Sequence, residues 1–224
     1  MKKSLNAIIL FGLLFIGLTI IGCNESSNSA AGGSGGPLFK TAGTFNFSSN
    51  RGSISANGIF DTLYTAQNAA GAFRFKSGNA NIYVVFAYNA ISQSEVQVAF
   101  VGVADTVNAI ANGSYPFVST TANKRAFFGY FPNAADSTAS NEFYGLINGS
   151  VTISAVSATQ VTGTFLGSGY DQNSQANPQT IDVTGGTFNS PVVEQAIDLS
   201  GDTNEPVQHW IKRAILKDRS VKIF

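Results

Sequence analysis

Between residues 43 and 189 short apolar-rich stretches alternate with breaks rich in Gly and Asn. No window of helical length there repeats its apolar positions every 3.6 residues. The pattern predicts strands over 43–48, 53–60, 71–76, 81–88, 95–103, 114–118, 124–131, 142–155, 160–171 and 179–189. Asn50-Arg51-Gly52 and Ser77-Gly78-Asn79 have the composition of tight hairpin turns. Short links between successive strands predict antiparallel neighbours, because a parallel pair needs a crossover of about a dozen residues or more.

The alternation within these stretches is uneven, and its breaks are informative. Val151, Ile153 and Ala155 share one parity, with Thr152 and Ser154 on the other. The run from Ile82 to Tyr88 is apolar at both parities. Val96, Val98 and Phe100 hold one parity, and Val101 and Val103 take the other. Either these strands are covered on both faces or a bulge lies near Phe100. A slip between Val183 and Phe188 places a bulge at Gly185-Gly186. Asn148-Gly149 has hairpin composition, but Phe143, Gly145, Ile147, Gly149, Val151 and Ile153 keep one parity through it. One long bent strand is therefore expected there.

Both ends of the chain differ from this middle. Met1-Lys2-Lys3 precedes an apolar stretch from Ala7 to Ile21, and then come Gly22 and Cys23, the only cysteine. A charged start, a short apolar run and a small residue make a signal peptide. Fifteen residues as a helix rise about 22 Å, short of the roughly 30 Å hydrocarbon core. Ile20-Ile21-Gly22-Cys23 resembles the bacterial lipobox. The resemblance implies cleavage between Gly22 and Cys23, lipidation of the Cys23 thiol, and a membrane partner held through that N-terminal lipid. Asn24, rather than Asp, follows the cysteine, which by analogy with enteric bacteria implies the outer membrane of the cell envelope. Residues 24–36 are Ser, Ala, Asn and Gly with one Glu, a flexible tether with an r.m.s. span of about 20 Å.

The expected organisation is thus a signal peptide over 1–22, lipidated cysteine and tether over 23–36, a β domain over 37–191, and an extension over 192–224. The extension has a helix start at Asn204-Glu205-Pro206. Val207, Trp210, Ile211, Ala214 and Ile215 then fall on one helical face. Five basic residues against Asp218 give residues 206–224 a net charge of +4. Such a helix either packs its apolar side on the β domain or lies on an anionic membrane surface. In both cases Trp210, Ile211, Lys212 and Arg213 are the candidate membrane or partner contacts. The fold class is all-β: one antiparallel domain of about ten strands, barrel-like or a curved sandwich, with a C-terminal amphipathic helix.

Composition excludes more chemistry than it suggests. Lys2 and Lys3 leave with the signal peptide, so 11 basic residues remain against 13 acidic ones, and no nucleic-acid partner is expected. His209 is the only histidine and lies in the extension, so neither a Ser-His-Asp triad nor a zinc ligand set is expected. No DxDxDG calcium loop is present. Asp61, Glu95, Asp105, Asp136, Glu142, Asp171 and Asp182 are the carboxylates of the β region, and no spacing selects a hydrolytic pair. The expectation is no catalytic residue, no cofactor and no metal. Thirteen phenylalanines from Phe45 to Phe188 fill a core or, alternatively, line an apolar cavity. Tyr64, Tyr88, Tyr115, Tyr130, Tyr144 and Tyr170 are expected at the surface.

Three segments carry a family resemblance: Gly149-Ser150-Val151-Thr152-Ile153-Ser154, Val161-Thr162-Gly163-Thr164-Phe165, and Ile181-Asp182-Val183-Thr184-Gly185-Gly186-Thr187-Phe188. With the lipobox, this series resembles a group of uncharacterised bacterial lipoproteins having lipocalin-like or sandwich-like β domains. It implies a location and a fold but no chemistry. Two functions follow as expectations: a non-catalytic binding or interaction module meeting another envelope protein, or a lipocalin-like carrier of an apolar small molecule.

Overall fold

The computed structural model describes residues 41–60, 66–77, 79–92, 94–117, 122–135, 142–174 and 177–194. Gly22, Cys23, the tether and the expected helix with His209, Trp210, Ile211, Lys212 and Arg213 lie outside the described residues. Ten strands are present, each overlapping one expected from the pattern: β1 Thr44–Ser49, β2 Gly52–Ala56, β3 Asn68–Ser77, β4 Ala80–Ala90, β5 Val96–Asp105, β6 Gly113–Pro116, β7 Lys124–Phe131, β8 Tyr144–Val156, β9 Gln160–Asp171 and β10 Thr180–Glu194. The last strand runs three residues into the stretch read as the extension. Both expected hairpins form, with Ser49 opposite Gly52 and Ser77 opposite Ala80. Gly52 has φ +119°, a conformation that L side chains rarely adopt.

The strands make one sheet, ordered β2-β1-β10-β3-β4-β5-β7-β8-β6, with β9 between β10 and β8. Because β9 joins both, the sheet returns on itself as a ring through β10, β3, β4, β5, β7, β8 and β9. Two narrow seams close it. One is the single pair Tyr130–Tyr144 between β7 and β8. The other joins Val192–Glu194 of β10 to Ala72–Arg74 of β3, and it is parallel, whereas the other ladders are antiparallel. Sequential hairpins describe most but not all of the order. β6 skips both chain neighbours and pairs with β8, so β5 and β7 meet directly. The two free edges belong to β2 and β6, the two shortest strands, five and four residues long. Short edges limit further pairing.

Seams divide the ring into halves, β3-β4-β5-β7 and β2-β1-β10-β9-β8-β6, whose concave faces share one apolar core. Phe45 and Phe47 of β1, Val101 and Val103 of β5, Phe128 of β7 and Phe165 of β9 all belong to it. A second cluster occupies the far face of the first half, including Val84, Val98, Phe100 and Phe131. Double apolar parity in β4 and β5 therefore reflects burial on both faces. The β4–β5 and β5–β7 registers run without interruption past Phe100, so no bulge lies there. The bulge in β10 does occur, between Val183 and Gly186.

β8 is one long strand, as expected, but not for the reason of conserved parity. Its register with β9 shifts between Leu146 and Asn148. Ile147 is squeezed out to 42% exposure while Tyr144 and Leu146 point inward. Gly149 adopts φ +101° just beyond, and its Cα faces the backbone at Leu166 too closely for a side chain.

Glycines provide beds for aromatic rings. A Cβ at Gly102 would collide with the Phe127 ring, one at Gly129 with Phe100, and one at Gly186 with Phe165. Each ring lies flat on the strand across from it, the arrangement known to offset the weakness of glycine in a strand. Gly102→Ala should thus cost about 1–3 kcal/mol through overpacking, despite the better strand propensity of alanine. The check is urea unfolding beside Gly185→Ala, where a Cβ meets nothing within 4 Å. Equal losses in the two variants would refute ring bedding as the cause.

Candidate functional site

Ring packing between the halves leaves little room. Phe47 meets Tyr130 at 5.0 Å and Phe128 at 5.5 Å between ring centroids, and Phe165 meets Phe45 at 5.5 Å and Phe128 at 5.6 Å. These distances lie in the range of favourable edge and offset contacts. A void among Val85, Val101, Val103, Val151, Ile153 and Phe188 measures about 10 Å³. That is space for one water at most, and its lining is apolar.

Four tyrosines expected at the surface are instead buried: Tyr88, Tyr115, Tyr130 and Tyr144. Their rings fill core positions, and for three of them a hydrogen bond satisfies the hydroxyl. Tyr88 donates to the Ala66 carbonyl at 2.8 Å, and Tyr115 to the Ala111 carbonyl at 3.0 Å. Gln97 Nε2 donates to the Tyr130 hydroxyl at 3.3 Å. A tyrosine with a partner within reach is an ordinary core residue. The signal was available for Tyr130, which shares its parity with Phe128.

Tyr130 and Tyr144 form the β7–β8 seam, with ring centroids 6.4 Å apart. The Arg51 guanidinium, from the β1–β2 turn, sits 5.8 Å from the Tyr144 ring centre. Arg51 Nε also donates to the Thr180 carbonyl at 2.7 Å, tying that turn to the start of β10. Burial pushes both phenols up to about 12, and the charge of Glu142 adds to the effect. They are neutral at pH 7 and offer neither base nor nucleophile. Because the folded state resists their ionisation, their contribution to stability is whole below pH 10, the ordinary phenol value. It falls as the pH rises from there towards 12. Phenolate absorbance should show these two groups ionising last, with unfolding beginning in the same interval. Complete titration of all seven tyrosines near pH 10 in the folded protein would contradict this.

The buried carboxylates are committed to turns. Asp105 Oδ1 accepts from the amides of Val107 and Asn108 at 2.9 and 2.8 Å. Asp171 Oδ1 accepts from those of Phe143 and Asn173 at 3.1 and 3.0 Å. This is the usual Asx-turn use of aspartate. Glu95 and Asp182 are exposed and Glu142 is half-buried, whereas Asp61 and Asp136 lie outside the described residues. Among the described residues no three His, Cys, Asp or Glu side chains gather as a metal-binding group.

The two outer faces contrast. On the wider half, Ser114, Thr152, Thr164, Thr187, Asn46 and Ser55 stand opposite one another in a single row across six strands. A second row runs Thr162–Asn189–Thr44. Asn189 accepts hydrogen bonds from Gln160 and Thr162 at 2.6 and 2.9 Å. These rows offer hydroxyls and amides without a formal charge. On the other half the outer rows read Ala69–Tyr88–Val98–Phe131, then Phe86–Phe100–Gly129, then Phe73–Val84–Gly102–Phe127. No described strand lies over them.

No protein-family model, no curated protein and no solved structure matches the chain.

Proposed function

We propose that this chain is a lipid-anchored protein of the bacterial cell envelope, held at the outer membrane through Cys23, and that its β domain is a non-catalytic interaction module. The observation that carries this reading is the filled interior. Phe45, Phe47, Phe128, Phe165 and Phe188 occupy the space where a carrier of the lipocalin kind would hold its ligand. With its concave faces in contact, the ring is better read as a flattened barrel, or curved sandwich, than as an open-mouthed one. Recognition then falls to the exterior. The charge-free rows of the wider half suit a polar partner met through hydrogen bonds, such as another envelope protein. Arg51, Asp105, Asp171, Tyr130 and Tyr144 serve turns and the seam, which supports a role without chemistry.

Native mass spectrometry of residues 24–224, expressed in bacteria and purified without detergent, tests the filled core. The expected result is the bare polypeptide mass. A reproducible extra mass that organic solvent strips away would sink this reading and favour the carrier of an apolar small molecule.

A further inference from the structure

The half-sheet β3-β4-β5-β7 is apolar on both sides, and a two-sided apolar sheet needs two covers. The wider half covers one side. The far side carries Phe73, Val84, Phe86, Phe100 and Phe127, and Val84 is only 8% exposed. Phe60 meets Phe86 at 4.6 Å, and Phe143 meets Phe100 and Phe131 at 6.5 and 4.5 Å, so the described flanking residues reach as far as the Phe86–Phe100 row. The Phe73–Val84–Gly102–Phe127 row continues beyond them. Contiguous apolar faces of this kind are rarely left to solvent.

The chain's own exit points to the cover. β10 ends with Val192–Glu194 paired to Ala72–Arg74, on the edge strand of this same half. Thirty residues follow, and their apolar positions are spaced for one helical face. Residues 195–205, extended, reach about 35 Å, while four strands span only about 15 Å between the outer two. A helix over 206–219 is about 21 Å long, enough to cross them. A covalently linked segment also competes at an effective concentration near millimolar, well ahead of a free partner.

We propose that residues 206–219 form a helix that docks Val207, Trp210, Ile211, Ala214 and Ile215 onto the outer face of β3-β4-β5-β7, with Lys212, Arg213 and Lys217 turned to solvent. The C-terminal segment is then the missing layer of the fold, and the membrane is held by the lipid alone.

The full chain tests this in cells, with a benzophenone amino acid in place of Trp210. Irradiation should join residue 210 to peptides of β4, β5 or β7 within one chain. Label on lipid, on a second copy or on another protein, or no link to these strands, would overturn the proposal. Trp210 is the only tryptophan, so its fluorescence gives an independent reading. Emission should be blue-shifted and shielded from acrylamide in the wild type. In Ile211→Asp it should shift to the red and be quenched severalfold more strongly, with Thr164→Ala on the opposite face unchanged. Wild-type quenching equal to that of free tryptophan would also overturn it.

Discussion

Phe165→Ala should lower the free energy of unfolding by about 3–5 kcal/mol, the range for an aromatic ring removed from a core. Phe165 is 2% exposed and sits where both halves of the ring meet. Its ring contacts Phe45, Phe47, Phe128 and Phe188, and it lies on the bed formed by Gly186. Truncation leaves a cavity that these neighbours fill only in part, since Phe45, Phe47 and Phe188 are each held by strand pairing. Domains of this size are typically stable by only about 5–15 kcal/mol, so the variant should be near its threshold. Leu166, the next residue on β9, is 57% exposed and provides the control. Leu166→Ala should move stability by no more than about 0.5 kcal/mol. The measurement is the urea midpoint, with the slope unchanged in both variants. Similar shifts for the two would mean that the rings do not form the central contact.

Cys23→Ala should release the chain from the membrane fraction almost completely. One acyl chain binds only marginally, and several together make dissociation negligible. The mature lipoproteins that the Ile20-Ile21-Gly22-Cys23 end resembles carry three. Loss of the thiol removes all of them at once, so the effect is all or none rather than graded. Sedimentation of envelopes followed by detection of the chain reads it directly. A variant that still sediments as firmly as the wild type would refute lipid anchoring. Release of that bound variant by high salt would then identify the basic residues 206–224 as the attachment, because attraction to anionic lipid is screened.

Strand positions were legible because side chains in a strand alternate with a period of two, which survives in the order of residues. The turns at Asn50-Arg51 and Gly78-Asn79 and the bulge at Gly185-Gly186 were legible because glycine marks local backbone demands. Ile147 was misleading. Its parity matched the buried series, but a one-residue bulge reverses every parity before it, and nothing in the local sequence marks that shift. The tyrosines were misplaced for a related reason. Burial of Tyr115 or Tyr130 depends on a hydroxyl partner supplied by the fold, at Ala111 in one case and Gln97 in the other. The absence of a catalytic candidate in the sequence left little for the structure to assemble. Asp105 and Asp171 show what their side chains do instead, holding the turns at the ends of β5 and β9.

By itself the sequence determined the local elements: ten strands, two tight hairpins, a bulge, and the double apolar character of β4 and β5. Each depends on residues close together in the chain. Tertiary structure alone decided that β6 crosses to β8, that β10 meets β3 in parallel, that the ring closes at Tyr130–Tyr144, and that the phenylalanines meet across the interior. Those outcomes rest on pairs separated by up to about 120 residues, as in Ala72 with Val192. Such contacts form only when the whole sheet has closed, so no window of sequence contains them.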